Sequence, residues 1–211
     1  MPEKAPQIAV TSTPAAHSAA VVFCCDDAYL PFASMAALAI LSAHRERDFD
    51  ICIISLAPLT VPATLKDSGI RWLVADVGAA FDGFQADHRR GAAMLLRLAV
   101  PGMVARDYDR LLYLDSDIVF RHGDLPRLLA LDMEGAAIGA VRDNVQWRDP
   151  KRRPKQLHIL KQPTRPYFNS GVLLMDVAAF QAQGILEKAV EFAVTQGANN
   201  LENDRSALKA A

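Results

Sequence analysis

The chain has 211 residues, 51% of them hydrophobic and 22% charged, with a formal net charge of -1. That size supports one large domain with a substantial core, and the charge balance gives no global preference for nucleic acid or an anionic membrane. No apolar run approaches a membrane span. The three cysteines, two of them adjacent at Cys24 and Cys25, make no disulfide framework and fit a reducing, cytoplasmic setting.

Residues 1–18 carry Pro2, Pro6 and Pro14 among Ser and Thr and lack the apolar centre of a secretion signal, so they read as a flexible tail. Ala19 to Cys25 is a buried-strand candidate that ends in Asp26 and Asp27. Pro31 opens a helix to Ala43, with Phe32, Met35, Ala36, Leu38, Ala39 and Ser42 at helical spacing. Phe49 to Leu56, rich in isoleucine, predicts a second strand, Thr60 with Pro62 a short helix, and Ile70 to Val74 a third strand. The segment to Arg90 reads as irregular, and helix returns from Ala92, where Arg97 interrupts an apolar run and calls for an anionic partner.

Leu111 to Phe120 is the centre of the chain. An apolar strand runs into Asp115-Ser116-Asp117, and apolar residues resume at Ile118. Uninterrupted apolar strands belong to parallel sheets covered on both faces, which bind ligands at their carboxyl ends. Two carboxylates one residue apart repel unless solvent or a cation intervenes. A pair of solvated acids in a turn and a site for Mg²⁺ or Mn²⁺ with diphosphate are the two readings of the bare motif.

Beyond it, Asp124 and Pro126 begin a short helix, and Ala136 to Val141 form a strand ending in Arg142, Asp143 and Asn144. Alternating strands and helices imply an α/β fold. Arg148 to Arg165 is a basic, proline-interrupted stretch, read as a solvated loop or as an arm for an anionic acceptor or membrane surface. Tyr167 to Asp176 combines a polar turn, Asn169-Ser170-Gly171, with another apolar strand, and Asp176 can cap the next helix. An amphipathic helix pattern spans Ile185 to Thr195, and a last one begins at Asn203.

In this order, the stretches Phe23 to Tyr29, the helix around Arg97, Tyr113 to Val119, Tyr167 to Asp176 and Asn203 to Leu208 resemble glycosyltransferase family 8. These retaining enzymes include bacterial lipopolysaccharide galactosyl- and glucosyltransferases and glycogenin. The resemblance implies a GT-A fold: a Rossmann-like, mixed, mainly parallel sheet flanked by helices, filling residues 19–211. It implies transfer of a hexose from a UDP-sugar, such as UDP-glucose or UDP-galactose, to a glycan or lipopolysaccharide hydroxyl, assisted by Mn²⁺ or Mg²⁺. Membrane contact is then at most peripheral, and no nucleic acid partner is implied.

Carried over by residue, Asp115 and Asp117 are the metal ligands. Asp26, Tyr29, Arg97, Ser116 and Ser170 join them in binding the donor, with Asp26 and Tyr29 near the uracil. Asp143, Asn169 and Asp204 surround the donor sugar and supply the catalytic groups. Two departures stand out. Family members carry Asp-Gln-Asp where this chain has Asp204-Arg205-Ser206, and the family's third metal ligand, a late His, would lie beyond residue 211, so the usual C-terminal segment is expected to be absent and cation binding weakened. His17, His44, His88, His122 and His158 stand in no such context and are expected at the surface. The alternatives are a non-catalytic nucleotide-sugar-binding remnant and a haloacid dehalogenase-type phosphatase, whose motif normally lies near its first strand and is followed by a Gly-Asp signature not found here.

Overall fold

A computed structural model of the chain describes residues 6–11, 13–78, 92–152 and 167–196. Its centre is a seven-stranded sheet of β1 (Gln7–Thr11), β2 (Ala19–Cys24), β3 (Asp50–Ser55), β4 (Ile70–Asp76), β5 (Arg110–Leu114), β6 (Ile138–Arg142) and β7 (Phe168–Asp176), in the order β1-β4-β3-β2-β5-β7-β6. The ladders joining β2, β3, β4 and β5 are parallel. β7 runs against both β5 and β6, so β6 points the same way as β5. Only β1 and β7 oppose the rest, which gives the mixed, mainly parallel sheet expected from the strand and helix alternation.

Every residue of β3 is buried, as are all but the first residues of β2 and β5. Their side chains alternate between two cores because successive residues of a strand point to opposite faces. Val22, Cys24 and Tyr113 lie on one face, against α2 (Ala92–Met103), α5 (Val177–Ala182) and α6 (Ile185–Gln196). Val21, Phe23 and Leu114 lie on the other, against α1 (Leu30–Ala43) and α3 (Leu125–Leu129). The short helix expected after Thr60 is a single 3₁₀ turn, Ala63–Leu65.

Three expectations change. The tail contains an edge strand: β1 pairs antiparallel with β4 from Gln7↔Asp76 to Thr11↔Leu73. Helix α1 turns a different face inward, burying Leu30, Ala33, Ser34, Ala36, Ala37 and Ile40 while Phe32, Met35 and Leu38 are exposed. Leu30, Ala33, Ser34 and Ala37 follow the i, i+3, i+4, i+7 spacing of one helix face, and Leu30, Ala33, Ala37 and Ile40 cluster with the β2 and β3 side chains Val21, Phe23, Ile51 and Ile53. His44 is half-buried, its ring edge-on to Phe49 and tilted against Phe120.

A polar network closes the end of the sheet where β2, β3, β4 and β5 begin. The Arg71 guanidinium donates to the Tyr108 hydroxyl, to the Thr13 carbonyl (2.9 Å) and to Asp107 (3.0 Å). Tyr108 donates onward to Asp50 Oδ2 (2.9 Å), which also accepts from the Ala16 amide. With its proton committed to Asp50, the Tyr108 oxygen accepts from the Cys52 thiol at 3.3 Å. Burial pushes that thiol up to about 12, so it stays protonated and able to donate. The network ties residues 13–16 to β3 and β4, which explains why the N-terminal segment is docked.

Replacing the central hydroxyl tests this. Tyr108→Phe leaves Arg71 and Asp50 each short of a buried partner, and equilibrium urea unfolding should show a loss of about 2 kcal/mol. A difference near zero would mean that the network contributes nothing to stability.

Candidate functional site

Because β7 is antiparallel, its first residues lie beside the last residues of β5 on one side and the end of β6 on the other. One end of the sheet thus gathers Asp26 after β2, Asp115 to Asp117 after β5, Asp143 after β6 and Asn169 to Gly171 in β7. The Asp115 amide extends the β5–β7 ladder by donating to the Gly171 carbonyl at 2.8 Å. Asn169-Ser170-Gly171 is not the free turn expected before a strand. It lies inside β7, where the register against β6 jumps from Ala140↔Leu173 to Val141↔Asn169, leaving residues 170–172 as a bulge. The Asn169 side chain stabilises this bulge by accepting the Gly171 amide at 2.8 Å.

Asp115 is the hub. Arg97, only 5% exposed, forms an ion pair with Asp115 Oδ1 at 3.0 Å and donates to the Ser170 carbonyl at 2.9 Å. The anion partner that the sequence demanded for Arg97 is therefore a protein carboxylate. The Tyr113 hydroxyl donates to the same Oδ1 at 2.8 Å, and its ring lies 4.7 Å from the Arg97 guanidinium carbon. Burial holds the Tyr113 phenol well above its ordinary range, with Arg97 acting in the opposite sense. The hydroxyl is thus a permanent donor.

Asp115 Oδ2 faces Gly171 so closely that a Cβ built on that glycine would come within 2.6 Å of it. Here the absence of a side chain is required for close approach. Asp117 is exposed. Ser116 and Ser170, expected to face a ligand, are both buried. The Ser116 hydroxyl donates to the Cys24 carbonyl at 3.0 Å and ties the end of β5 to that of β2. The Ser170 hydroxyl has no hydrogen-bond partner among the described residues.

The remaining candidates occupy turns at the same end. Asp26 Oδ1 accepts the Tyr29 amide at 3.1 Å, and Tyr29, half-exposed, precedes α1 with its ring 6.0 Å from that of Phe32. Asp143 caps α4 (Asn144–Arg148) by accepting the Val145 amide at 3.0 Å, and its own amide donates to the Tyr167 carbonyl. Asp204 lies outside the described residues, as does most of the basic stretch. Sequence reasoning missed Tyr113 as a site residue. The available signal was strand periodicity, since a residue two before Asp115 shares its face.

These groups suit a hard divalent cation in part. Asp115 and Asp117 are oxygen ligands of the type such ions prefer. Among the described residues no cluster of three or more His, Cys, Asp or Glu side chains could hold a metal. Other positions in a cation's shell would therefore come from solvent, a ligand or residues outside those described.

The close approach at Gly171 makes a direct prediction. In Gly171→Ala the added methyl must displace a carboxylate already held by Arg97 and Tyr113. Mn²⁺ affinity, followed by the paramagnetic resonance of the free ion, should fall about tenfold, the scale on which metal sites respond to lost supporting contacts.

Comparison with known proteins places this site in context. Residues 20–206 match the family described as glycosyl transferase family 8. The glycosyltransferase GlyF of Streptococcus pneumoniae is 30% identical over 181 residues, which is 83% of this chain and 41% of GlyF. The lipopolysaccharide 1,2-glucosyltransferase of Escherichia coli K12 is 33% identical over 106 residues, 49% of this chain and 30% of that protein. The chain thus spans well under half of either relative. The structure of the galactosyltransferase LgtC, solved with donor and acceptor sugar analogues, superimposes with a TM-score of 0.73 at 26% identity, covering 90% of this chain and 69% of that one. On the extent of these matches and the sheet they share, the chain belongs to glycosyl transferase family 8.

Proposed function

We propose that this chain binds a UDP-sugar with Mn²⁺ or Mg²⁺ and transfers a hexose, glucose or galactose, with retained configuration to a hydroxyl of a glycan or lipopolysaccharide acceptor. The observation that carries the reading is the arrangement around Asp115. A buried arginine, a phenol and a glycine hold one carboxylate in place at the ligand-binding end of the sheet, with exposed Asp117 two residues on. Residues 19–211 form the donor-binding unit in this proposal, with β1 added at its edge.

Asp115 and Asp117 would hold the cation. A bound divalent ion would supply Lewis-acid stabilisation of the diphosphate leaving group. Asp26 and Tyr29, at the end of β2, contribute polar and aromatic surface for the base. Asn169 and Asp143 offer directional hydrogen bonds to sugar hydroxyls, and Asp204 is assigned to the reacting sugar by its place in the family motif. The lipopolysaccharide enzyme of Escherichia coli and the LgtC complex support the donor and acceptor classes. Among the described residues no helix is long and apolar enough to cross a membrane. Three free, buried cysteines suit the cytoplasmic face, where such an acceptor would be met at most peripherally.

Calorimetric titration with UDP, with and without Mn²⁺, tests the proposal. Binding should strengthen when Mn²⁺ is present, and Asp117→Ala should remove most of that gain. Asp117 is the cleaner position for the test because it is exposed. By contrast, Asp115→Ala removes the carboxylate of the buried Arg97 ion pair and should cost about 3–5 kcal/mol of stability. UDP affinity indifferent to Mn²⁺ in the parent chain would refute the metal-assisted reading.

A further inference from the structure

We propose that Tyr113 is the positioning residue that makes Asp115 a one-oxygen ligand for the cation, an inference that rests on the metal-assisted donor site argued above. The two carboxylate oxygens of Asp115 have different surroundings. Oδ1 accepts the Tyr113 hydroxyl at 2.8 Å and is paired with Arg97 Nη1 at 3.0 Å. Oδ2 lies over the backbone of Gly171, in space that any side chain there would fill. Rotation about the terminal torsion of an aspartate is normally broad. Here two donors on one oxygen and a backbone surface beside the other restrict it, so Oδ2 is the oxygen left for coordination.

Tyr113 performs two separable tasks. Its ring lies under the Arg97 guanidinium, which keeps that buried cation in place, while its hydroxyl orients the carboxylate. Strand geometry makes this possible. Tyr113 and Asp115 share one face of the strand line, and the ladder from β5 to β7 continues to the Asp115–Gly171 hydrogen bond, so the backbone carrying both groups is fixed. Hydrogen bonds to the ligands of a metal set ligand orientation and tune affinity in general. Tyr113 fills that place from within the strand itself. Tyr113 is buried and its hydroxyl is spent on Asp115, so its effect is exerted through that carboxylate.

The test uses Tyr113→Phe in the full chain, which keeps the ring beneath Arg97 and deletes only the hydroxyl. With UDP present, Mn²⁺ affinity read from the free-ion paramagnetic signal should weaken about tenfold, while UDP affinity measured without metal stays unchanged. An equal loss in both titrations would mark a structural role and overturn the proposal. So would an unchanged Mn²⁺ affinity in Tyr113→Phe where the parent chain binds the ion, an outcome that leaves the metal-site reading intact. A parent chain that takes up no Mn²⁺ overturns both readings. A second measurement needs no Tyr113 variant: infrared difference spectra of the parent chain labelled with ¹³C-aspartate, recorded on adding Mn²⁺, with the Asp115 band assigned by its loss in Asp115→Asn. A widened splitting of the carboxylate stretches is expected for one-oxygen ligation, and a narrowed splitting, the signature of two-oxygen ligation, overturns the proposal even if Tyr113→Phe does not fold.

Discussion

A guanidinium withdrawn from water has to be neutralised and hydrogen-bonded where it is buried, or the fold cannot hold it. Among the described residues, Arg97 meets that demand with the Asp115 carboxylate, the Ser170 carbonyl and the face of the Tyr113 ring. Helix α2 is thereby locked to β5 and β7 at the point where those strands meet. Everything at the candidate site refers to this lock. The bulge at residues 170–172 brings the Ser170 carbonyl and the bare backbone of Gly171 to Asp115, and the next residue, Ser116, is anchored to β2 through the Cys24 carbonyl.

The opposite end of the sheet uses the same kinds of group for a different purpose. Arg71 is also buried beside a tyrosine ring, with Tyr108 5.4 Å away, and is also paired with an aspartate, Asp107. There, among the described residues, Arg71, Tyr108 and Asp50 bond to one another and to the backbone of residues 13–16, and the result is a structural tether. A surface recess lined by residues 13–18 with Arg71, Arg106 and Asp107 adjoins this tether, far along the strands from Asp115. At the Arg97 end the arrangement stops short of closure. Asp117 remains exposed, and among the described residues Asp115 keeps one oxygen outside its internal hydrogen bonds. That difference separates the stabilising network from the candidate site.

Membership of glycosyl transferase family 8 fits this division of labour. The sheet shared with LgtC places strand ends and the β7 bulge along one edge. The roles of individual side chains come from local chemistry, since a fold by itself hosts many activities.

The sequence alone determined most of the secondary structure and which strand ends form the candidate site. Runs such as Ile51 to Ile54 and Leu111 to Leu114 are apolar without interruption, which only a sheet covered on both faces accommodates, and acids directly after such a strand mark its ligand-binding end. The caps at Asp124 and Asp176 were legible for a similar reason, because they act on amides three residues away. What the tertiary structure decided involves groups distant in sequence. Arg97 and the Ser170 carbonyl are 73 residues apart, and Tyr108 and Asp50 are 58 apart. The inward face of α1 was set by the core that β2 and β3 present to it, β1 by its pairing with β4 at the margin of the sheet, and the inequivalence of the Asp115 oxygens by a bulge in a strand that arrives more than fifty residues later. Local pattern reports which residues want burial, and only the folded chain determines which partners make that burial possible.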